Sequence, residues 1–416
     1  MTNTEVDSPQ VRKRFPRGWR LVRLGEVCRV VSGSTPKSHV NEFWDGDITW
    51  ITPTDLGRLN GRQIASSARR ITPSGHESCG AEVVPPGSVV LSSRAPIGHL
   101  GIAMLPLCTN QGCKSFVPGT DVDSQFIYFA LKNAVPLLKT MGSGSTFAEV
   151  SKSQVESFQI LLPALNEQKR IAAILNEQMA AVERARIAAK AQLEAAKALP
   201  AAYLRAVFNS TEAKQWPIKP LGEVGEIVSG VTLGRKIRGV ETRAVPYLRV
   251  ANVKDGHLLL SDVYRIEATE AEINKLRLKF GDLLLTEGGD PDKLGRGTFW
   301  EEQIPECIHQ NHIFRVRFDA NQFFPQFVSA QIGSAYGKAY FLAHAKQTTG
   351  IATINQKVLA GFPLMAPPLA EQQRIAARLS EQMADAERTR QALEAQLATI
   401  NALPAALLRR AFNGEL

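Results

Sequence analysis

Residues 163–184 read PALNEQKRIAAILNEQMAAVER, and residues 367–388 read PPLAEQQRIAARLSEQMADAER. The two stretches align without a gap at a shift of 204 residues, and the match continues to Phe208-Asn209 and Phe412-Asn413. Such self-similarity is typical of a duplicated structural unit. We therefore interpret the rest of the chain around this duplication.

A second repeat lies on the amino-terminal side of each of these stretches. Residues 19–33 (WRLVRLGEVCRVVSG) match residues 216–230 (WPIKPLGEVGEIVSG) at a shift of 197. Each copy is thus a mixed segment of about 150 residues followed by a helical segment of about 50 residues. The predicted boundaries are 1–162 (mixed), 163–212 (helical), 213–363 (mixed) and 364–416 (helical).

Both helical segments have an apolar residue at every third or fourth position, which is the spacing of an amphipathic helix. A long helix with one apolar stripe needs a partner, and we predict that the two copies pair as an antiparallel coiled coil about a pseudo-twofold axis. This pairing would form a rigid rod with a mixed domain at each end. Leu199-Pro200 and Leu403-Pro404 are expected to end or kink the helices, ahead of short apolar helices at 204–208 and 408–412. The predicted stripes are Ile171, Leu175, Met179, Val182, Ala189, Leu193, Ala196 and Leu199 in one copy, and Ile375, Leu379, Met383, Ala386, Leu393, Leu397, Ile400 and Leu403 in the other.

The mixed segments contain short β-branched runs separated by Gly, Pro, Ser, Thr and Asn, a pattern that predicts strands with long loops. Phe126–Leu138 and Phe324–Ala335 have helical length and spacing. The predicted fold class is therefore α+β, with two tandem mixed α/β domains separated by two long helical regions. The predicted strands are Val27–Val31, Ile48–Ile51, Val89–Leu91, Ile227–Val228, Tyr247–Val250, Leu283–Leu285 and Ile313–Val316.

The 416 residues carry a formal net charge of +9 and a pI near 9.3, and most of the excess lies in the two mixed segments. A basic surface favours a polyanionic partner such as nucleic acid. The sequence opens without a signal peptide, has no apolar run of membrane-spanning length, and has five cysteines with no Cys-x-x-Cys pair. We expect a soluble, cytoplasmic protein with reduced thiols and no membrane contact.

Catalysis is disfavoured because the usual motifs are missing. The sequence has no Gly-x-x-x-x-Gly-Lys-Ser/Thr phosphate loop and no Asn/Asp-Pro-Pro-Tyr/Phe segment of an amino-methyltransferase. Pro291-Asp292-Lys293 lacks a partner carboxylate at a nuclease-like spacing, and Cys307, His309 and His312 lack a second pair of zinc ligands. We expect no enzyme activity and no metal site in this chain.

Several motifs, taken together and in duplicated order, resemble the specificity (S) subunit of type I restriction-modification systems over essentially the whole chain. The second mixed segment has Gly230-Val-Thr-Leu-Gly in place of a Gly-x-Thr-Pro loop, so it is a diverged copy. The motifs are Ser32–Pro36, Ile48–Ile51, Thr109–Gly112, Gly142–Phe147, the two Leu-x-Glu-Gln-x-x-Ile-Ala helix openings, Tyr247–Val253, Gln310–Arg317 and Phe412–Leu416.

The resemblance implies two target recognition domains, which each recognise half of a split sequence in double-stranded DNA, and two conserved helical regions. It further implies that the helices dock two modification (methyltransferase) subunits, and that restriction (translocase/endonuclease) subunits join through the complex. This chain would bind no cofactor, because S-adenosylmethionine, ATP and Mg would be held by the partner subunits. Since the two copies differ in sequence, the two half-sites should differ, and the target should be asymmetric. A rod of fixed length should set the number of unread base pairs, with half-site centres about one DNA turn apart.

Residues that bind DNA should be hydrogen-bond donors or acceptors on loops, because Arg pairs with guanine, Asn or Gln with adenine, and Lys with phosphate. The interpretation as ordinary exposed polar residues remains open for each of them. The candidates are Arg58, Asn60, Arg62, Gln63, Arg69, Arg70 and Arg94 in the first mixed segment, and Arg235, Lys236, Arg238, Asn252, Lys254, Lys293, Arg296, Lys346 and Gln347 in the second.

The candidates for the helix seam and the partner contact lie at the helix openings. The duplicated Glu-Gln pairs suit either helix capping or contact with the modification subunits, and the apolar positions suit a buried seam. Asn110-Gln111 and Gln310-Asn311 suit either base contacts or buried amides that tie loops together. The helix candidates are Glu167, Gln168, Ile171, Leu175, Met179, Glu371, Gln372, Ile375, Leu379 and Met383.

Two alternatives remain open. One keeps DNA recognition but places the chain in a type IIB-like system, in which one partner both cuts and methylates. The other, of a different class, is a coiled-coil scaffold that recognises no DNA.

Overall fold

The computed structural model describes residue 16 and residues 18–142, 148–235, 239–289, 294–348 and 351–416. The chain forms two compact units. The first consists of residues 1–189 and 396–416, and the second of residues 190–395. The four-part division expected from the repeat stays a prediction.

The first unit contains short strands and mostly short helices before its long helical segments. Its strands are β1 (Arg20–Arg23), β2 (Cys28–Ser32), β3 (Trp44–Ile51), β4 (Gln63–Ile64), β5 (Arg69–Ile71), β6 (Val89–Ser92), β7 (Leu100–Ala103), β8 (Leu107–Thr109), β9 (Cys113–Pro118) and β10 (Gln159–Leu162). Its helices are α1 (Leu24–Val27), α2 (Pro53–Gly57), α3 (Pro73–Glu77), α4 (Ser124–Met141), α5 (Lys152–Ser157) and the first part of α6 (Leu165–Phe208).

The strands of the first unit form three sheets in the described residues, with the strand orders β2-β9-β6-β7-β4, β5-β3-β8 and β1-β10. Most neighbours are antiparallel, whereas β3 with β8 and β4 with β7 are parallel. The main hydrophobic core contains Val89, Phe116, Phe126 and Leu131, all fully buried, and α4 supplies many of its side chains. The sheets thus hold the connecting loops at defined positions around this core.

The second unit repeats this plan. Its strands are β11 (Ile218–Pro220), β12 (Gly225–Ser229), β13 (Arg243–Leu248), β14 (Tyr264–Ala268), β15 (Leu283–Thr286), β16 (Gly288–Gly289), β17 (Gly297–Phe299), β18 (Ile308–His309), β19 (Ile313–Phe318), β20 (Lys346–Thr348), β21 (Ile351–Thr353) and β22 (Pro363–Met365). Its helices are the last part of α6 and α7 (Leu221–Val224), α8 (Glu270–Leu276), α9 (Pro325–Gly333), α10 (Ala335–His344), α11 (Gln356–Ala360) and most of α12 (Leu369–Phe412).

The sheet orders show the duplication directly. In the second unit β12-β19-β15-β17 corresponds to β2-β9-β6-β7, β14-β13-β18 to β5-β3-β8, and β11-β22 to β1-β10. The parallel pair β13 and β18 repeats the parallel pair β3 and β8. A further sheet, β16-β21-β20, is built in the second unit. The predicted internal repeat of two α+β domains is therefore confirmed.

Each long helix runs for 44 residues. In the first unit the beginning of α6 (Ile171, Leu175) shares one core with the end of α12 (Leu408, Ala411). In the second unit the beginning of α12 (Ile375, Leu379) shares one core with the end of α6 (Val207, Phe208). Within each unit, the start of one helix thus packs with the end of the other, which is the predicted antiparallel pairing.

Of the two effects expected of proline, ending the long helices is wrong, because α6 continues through Pro200 and α12 through Pro404, whereas a kink at these residues stays a prediction. A proline inside a helix removes one backbone hydrogen bond, but the following turns bury Val207, Phe208 and Ala411 in the domain cores. This burial offsets the lost bond. No helix in the described ranges is long and apolar enough to cross a membrane.

Two smaller expectations also differ from the structure. The predicted strand Tyr247–Val250 ends at Leu248, because Val250–Asn252 form a 3-10 turn. The predicted helix Phe324–Ala335 is interrupted at Ser334, whose hydroxyl caps the next helix by accepting a hydrogen bond from the Gly337 amide. Both changes occur where a side chain binds the main chain locally, as Asn and Ser commonly do.

Candidate nucleic-acid interface

In the first unit, three of the motif segments meet at one loop junction. The Ser34 amide donates to the Thr109 carbonyl, and the Asn110 amide donates to the Ile51 carbonyl, both at 2.9 Å. A Cβ atom added at Gly33 would lie only 2.0 Å from the Asn110 carbonyl oxygen. Glycine is therefore required at position 33 by the close approach of two backbone segments.

The second unit builds the same junction from different residues. The Val231 amide donates to the His309 carbonyl, and the Gln310 amide donates to the Leu248 carbonyl, again at 2.9 Å. A Cβ atom at Gly230 would lie 1.8 Å from the His309 carbonyl oxygen. The main-chain geometry is thus retained although the loop sequences have diverged.

The amides at these junctions tie loops together. The side-chain oxygen of Asn110 accepts from the Gly112 amide at 3.0 Å, and that of Gln310 accepts from the Val250 amide at 3.2 Å. Gln111 contacts the hydroxyl of Thr35, in the loop after β2. At these positions the structural interpretation fits better than base recognition.

A pair of tryptophans supports the loop after β2. The rings of Trp44 and Trp50 meet edge to face, with centroids 5.1 Å apart. Their indole N–H groups donate to the carbonyls of Lys37 (3.3 Å) and Ser34 (3.0 Å). The Arg69 guanidinium lies 3.5 Å from the centroid of the Trp44 ring, close enough for a cation–π contact. Trp44 was not singled out from the sequence, since its partners are distant along the chain.

Five of the seven DNA-binding candidates in the first unit are exposed. Of these, Arg58 lies at the carboxyl end of α2, where the Asp55 carboxylate also accepts from the Ala68 amide at 3.1 Å. That bond ties α2 to the residue before β5, which carries two of the arginines. Apart from the contact of Arg69 with Trp44, these side chains have no hydrogen-bond or ion-pair partner in the described residues. The exposed candidates are Arg58, Asn60, Gln63, Arg69 and Arg70.

The other two candidates of the first unit are engaged within the protein. Arg62 donates to the Asn176 side chain on α6 and lies 5.7 Å from the Phe129 ring centroid. It lines a groove of about 670 Å³ together with Lys132 and Arg186. The hydrogen bond from Arg62 to Asn176 therefore fixes the loop of Arg62 to α6.

Arg94 lies next to an internal ion-pair group that the sequence did not reveal. Its guanidinium is 3.4 Å from the Glu149 carboxylate, which also binds the nearly buried Lys114 ammonium at 3.3 Å. Lys114 is further held by the Ser93 hydroxyl and the Gln111 carbonyl. This grouping links the loops at 93–94, 111 and 149, so Arg94 is partly neutralised in the structure.

In the second unit, two candidates are structural. Arg235 forms a bidentate ion pair with Glu272 at 2.8 and 2.9 Å, and this contact lowers the pKa of the Glu272 carboxyl. Asn252 is 2% exposed. Its amide group donates to the carbonyls of Leu259 and Asp262, and its oxygen accepts from the Arg249 amide. Both side chains are therefore engaged within the protein.

The remaining candidates of the second unit divide into two groups. Lys254, Arg296 and Lys346 have no side-chain hydrogen bond or ion pair within the described ranges, and Lys346 is exposed. The second group lies outside the described residues and consists of Lys236, Arg238, Lys293 and the side chain of Gln347. In the first unit, residues 143–147 of the motif Gly142–Phe147 also lie outside them. Binding of DNA by any candidate stays a prediction.

Two contacts in the second unit involve Tyr264 and Glu287, which the sequence did not single out. The Arg249 guanidinium lies 3.3 Å from the centroid of the half-exposed Tyr264 ring and pairs with Asp262 at 2.8 Å. His312 contacts the Glu287 carboxylate at 2.5 Å. Arg249 and Asp262 lie at opposite ends of the connection between β13 and β14, whereas Glu287 and His312 lie on different loops. Only the folded chain reveals these contacts.

The cysteines and histidines do not combine into a metal centre in the described ranges. Burial raises the pKa of the Cys307 thiol to about 12. Burial, reinforced by the charge of Arg315, lowers the pKa of His309 to about 4, and its neutral ring donates to the Ile313 carbonyl at 3.1 Å. His309 therefore acts as a neutral core residue.

The Glu-Gln pairs at the helix openings have divided roles. Glu167 and Glu371 lie on the surface and pair with Arg170 and Arg374, one turn later. These contacts lower the pKa of each carboxyl. The glutamines are instead buried and bind main-chain atoms of the mixed domains. Gln168 and Gln372 thus bind the mixed domains, and contact of the Glu-Gln pairs with the modification subunits stays a prediction.

The apolar seam candidates lie in the domain cores. Ile171, Leu175, Ile375 and Leu379 are at most 3% exposed and contact both the mixed domain and the other long helix through these cores. Met179 packs against the first core and is only partly buried, as is Met383. The stripe therefore joins each domain to the helices as well as the helices to each other.

Two diverged copies of one α+β domain, each packed against the long helices, define a tandemly duplicated protein, and comparison with known proteins identifies the family. A family model described as the type I restriction modification DNA specificity domain matches residues 16–194 and again residues 213–397. These matches cover most of the chain. The chain therefore belongs to the family of type I restriction-modification specificity subunits, as the motifs predicted.

Curated relatives agree with this assignment. The MjaIX specificity subunit of Methanocaldococcus jannaschii is 31% identical over 66% of this chain, and the chain spans just under two thirds (65%) of that protein. The StySPI specificity subunit of Salmonella potsdam is 23% identical over 97% of this chain and 90% of its own length. The EcoKI specificity subunit of Escherichia coli is 22% identical with the same coverage.

Solved structures confirm the fold class. The HsdS subunit from Thermoanaerobacter tengcongensis has a TM-score of 0.64 and 20% identity, over 97% of this chain and 98% of that chain. A chain from a study of complex assembly and conformational transition of the type I R-M system has a TM-score of 0.70 and 20% identity, over 97% and 100%. At this identity the likeness establishes the architecture alone.

Proposed function

We propose that the chain recognises an asymmetric, bipartite target in double-stranded DNA, with one domain for each half-site. The observation that carries this proposal is the pair of loop junctions at Gly33 and Gly230, which share their main-chain hydrogen bonds but differ in side chains. Equivalent frameworks with different exposed groups suit two different base sequences. The exposed arginines and amides around α2 and β5 are the base and phosphate contacts of the first half-site.

We further propose that the long helices dock two methyltransferase (modification) subunits, and that restriction subunits join through the assembled complex. The relatives named above are specificity subunits of type I enzymes, which supports a type I assembly over a type IIB-like one. The many exposed polar residues on α6 and α12 leave surface for such partners. The duplication of the helices supports two copies of the methyltransferase.

In this proposal the chain itself is not catalytic. The sequence contains neither a phosphate-binding loop nor the tetrapeptide with which amino-methyltransferases contact a flipped base. S-adenosylmethionine, ATP and Mg are therefore assigned to the partner subunits. The role of this chain is to place the methyltransferases at the correct adenines.

The direct test is single-molecule sequencing of N6-methyladenine in DNA from cells that carry this chain with its genomic modification partner. The matched control is the same strain with only this chain deleted. A split, asymmetric motif that disappears in the control is the expected result. Persistence of the same methylation without the chain would contradict the proposal and favour a scaffold.

A further inference from the structure

Gln168 lies at the opening of α6 with its side chain 1% exposed. Its Nε2 donates to the carbonyls of Asp121 at 3.1 Å and Pro163 at 2.9 Å. Its Oε1 accepts from the Asp123 amide at 2.9 Å. One helix side chain therefore satisfies three main-chain groups of the first recognition domain and its linker.

Gln372 repeats this arrangement at the opening of α12, again 1% exposed. Its Nε2 donates to the carbonyls of Gln322 at 3.0 Å and Pro367 at 2.9 Å, and its Oε1 accepts from the Phe324 amide at 2.9 Å. The two copies agree to within 0.1 Å in every distance. We call each set of three bonds a glutamine latch.

The latch holds the segment that starts the main helix of each recognition domain. Asp123 caps α4 through a 2.9 Å bond from the Phe126 amide, and Phe126 contacts Trp19 and Phe412 in the core. In the second unit Phe324 precedes α9, whose Phe327 contacts Trp216 and Phe208. The latch is thus a polar link between each long helix and the framework that carries the recognition loops, and it occurs in both copies. In the first unit Asn176 of α6 adds further polar contacts to Arg62 and Gln125.

The three hydrogen bonds of the latch suit fixing the orientation of the domain on its helix more than adding strength to the contact. Packing of Ile171 and Leu175 into the core is non-directional, whereas hydrogen bonds to three fixed main-chain groups hold one geometry. All three partners are backbone atoms, so the latch does not depend on the side chains of the domain. It can therefore hold two diverged domains in the same way.

We propose that Gln168 and Gln372 are positioning residues that fix the tilt of each recognition domain on its helix and so restrict the number of unread base pairs. This inference rests on the proposed function. One additional base pair moves a half-site by about 3.4 Å and rotates it by about 34°. A domain held by these three directional bonds rejects that displacement, whereas a domain without them tolerates part of it.

The test uses the assembled methyltransferase complex of the full chain with Gln168→Met or Gln372→Met. Methionine keeps the length and the apolar packing of the side chain but removes all three bonds. Methylation rates are measured on duplexes with the parent spacer, identified by sequencing, and on duplexes with one base pair more or fewer. The readout is the ratio of these rates, which does not depend on how much of the complex is active.

Lys169→Ala and Gln373→Ala are the matched controls, because each residue follows its glutamine on the helix and has an exposed side chain with no hydrogen bond or ion pair in the described residues. We expect the discrimination against the altered spacers to fall about tenfold in each methionine variant, with both half-site sequences unchanged. The controls should keep the discrimination of the parent.

An unchanged ratio in both methionine variants overturns the positioning role and leaves the glutamines as stabilising residues only. If a methionine variant yields no active complex, Gln168→Asn and Gln372→Asn, which keep an amide on a shorter side chain, provide the same ratio. A parent complex without any split motif overturns the proposed function, and the positioning role with it. A split motif with an unchanged ratio overturns the positioning role alone.

Discussion

Arginines on similar loops have different roles in this protein. Arg58 and Arg235 both lie on polar loops, yet Arg58 is exposed without a described partner whereas Arg235 is bound to Glu272, 37 residues away. The sequence could indicate that both are loop cations. It could not indicate the long-range ion pair, which depends on the folding of α8 against the loop after β12.

Loss of exposed cations should weaken DNA binding. We expect Arg58→Ala and Arg70→Ala to cost about 1–3 kcal/mol at one base position if the side chain contacts a base. A phosphate contact would instead weaken binding to all sequences and reduce the salt dependence. Affinities of the complex for the parent duplex and for single-base variants distinguish the two cases. Arg388→Ala, a change of an exposed arginine on α12 that pairs with Asp385, is the control. Affinities equal to the parent would show that Arg58 and Arg70 do not contact DNA.

The close backbone approaches at Gly33 and Gly230 predict a specific stability loss. An added Cβ would meet a carbonyl oxygen at 2.0 Å and 1.8 Å, so the loops must shift. We expect Gly33→Ala and Gly230→Ala to lower the free energy of unfolding by about 1–3 kcal/mol or more. Gly80→Ala is the control, because no atom lies within 4 Å of its added Cβ. Urea denaturation measures all three variants, and equal midpoints would refute the described junctions.

The buried His309 predicts a pH dependence of stability. Its pKa is about 4 in the folded protein against an ordinary value of 6.5, so the unfolded chain binds a proton more readily. Its contribution is therefore fully present above pH 6.5 and is lost as pH falls towards 4, by about 3 kcal/mol in total. Urea unfolding between pH 4 and 7 should show a shallower pH dependence for His309→Gln than for the parent. Identical slopes would mean that the pKa of His309 is the same in the folded and unfolded chain, which would contradict its burial as a neutral ring.

At the scale of elements, periodicity predicted the long helices and their antiparallel partners because α6 and α12 carry a continuous apolar stripe. The strands at 28–32 and 313–318 were likewise visible as β-branched runs. The helix end expected at Pro200 was wrong, because the free energy lost at the proline is smaller than that gained by burying Val207 and Phe208 beyond it. The loop junctions could not be predicted, because they depend on sheet pairings between residues far apart in sequence.

The helices predict how the spacer depends on length. Insertion of seven residues into each helix, after Ala189 in α6 and after Ala395 in α12, keeps the apolar stripe in phase. At 1.5 Å per residue this adds about 10 Å, or about three base pairs. N6-methyladenine sequencing should then find the same two half-sites with a longer unread spacer. An unchanged spacer would contradict the view that the helices set the distance.

At the scale of the whole molecule, the chain is two copies of one plan whose recognition surfaces have diverged. The sheet orders, the glycine junctions and the glutamine latches recur in both copies. The side chains displayed on the loops do not. Duplication of the framework therefore accounts for the shared attachment of the domains to the helices, and divergence of the loops is the basis of the proposed asymmetric target.

The measurement that tests this account most directly uses a chain in which residues 213–363 are replaced by a copy of residues 16–162. Because the latch at Gln372 binds main-chain atoms, the copied domain should attach to α12 as the natural one does. N6-methyladenine sequencing of cells with this chain and its modification partner should find a palindromic motif, with the first half-site present twice in inverted orientation. Retention of the asymmetric parent motif would contradict the assignment of one domain to each half-site.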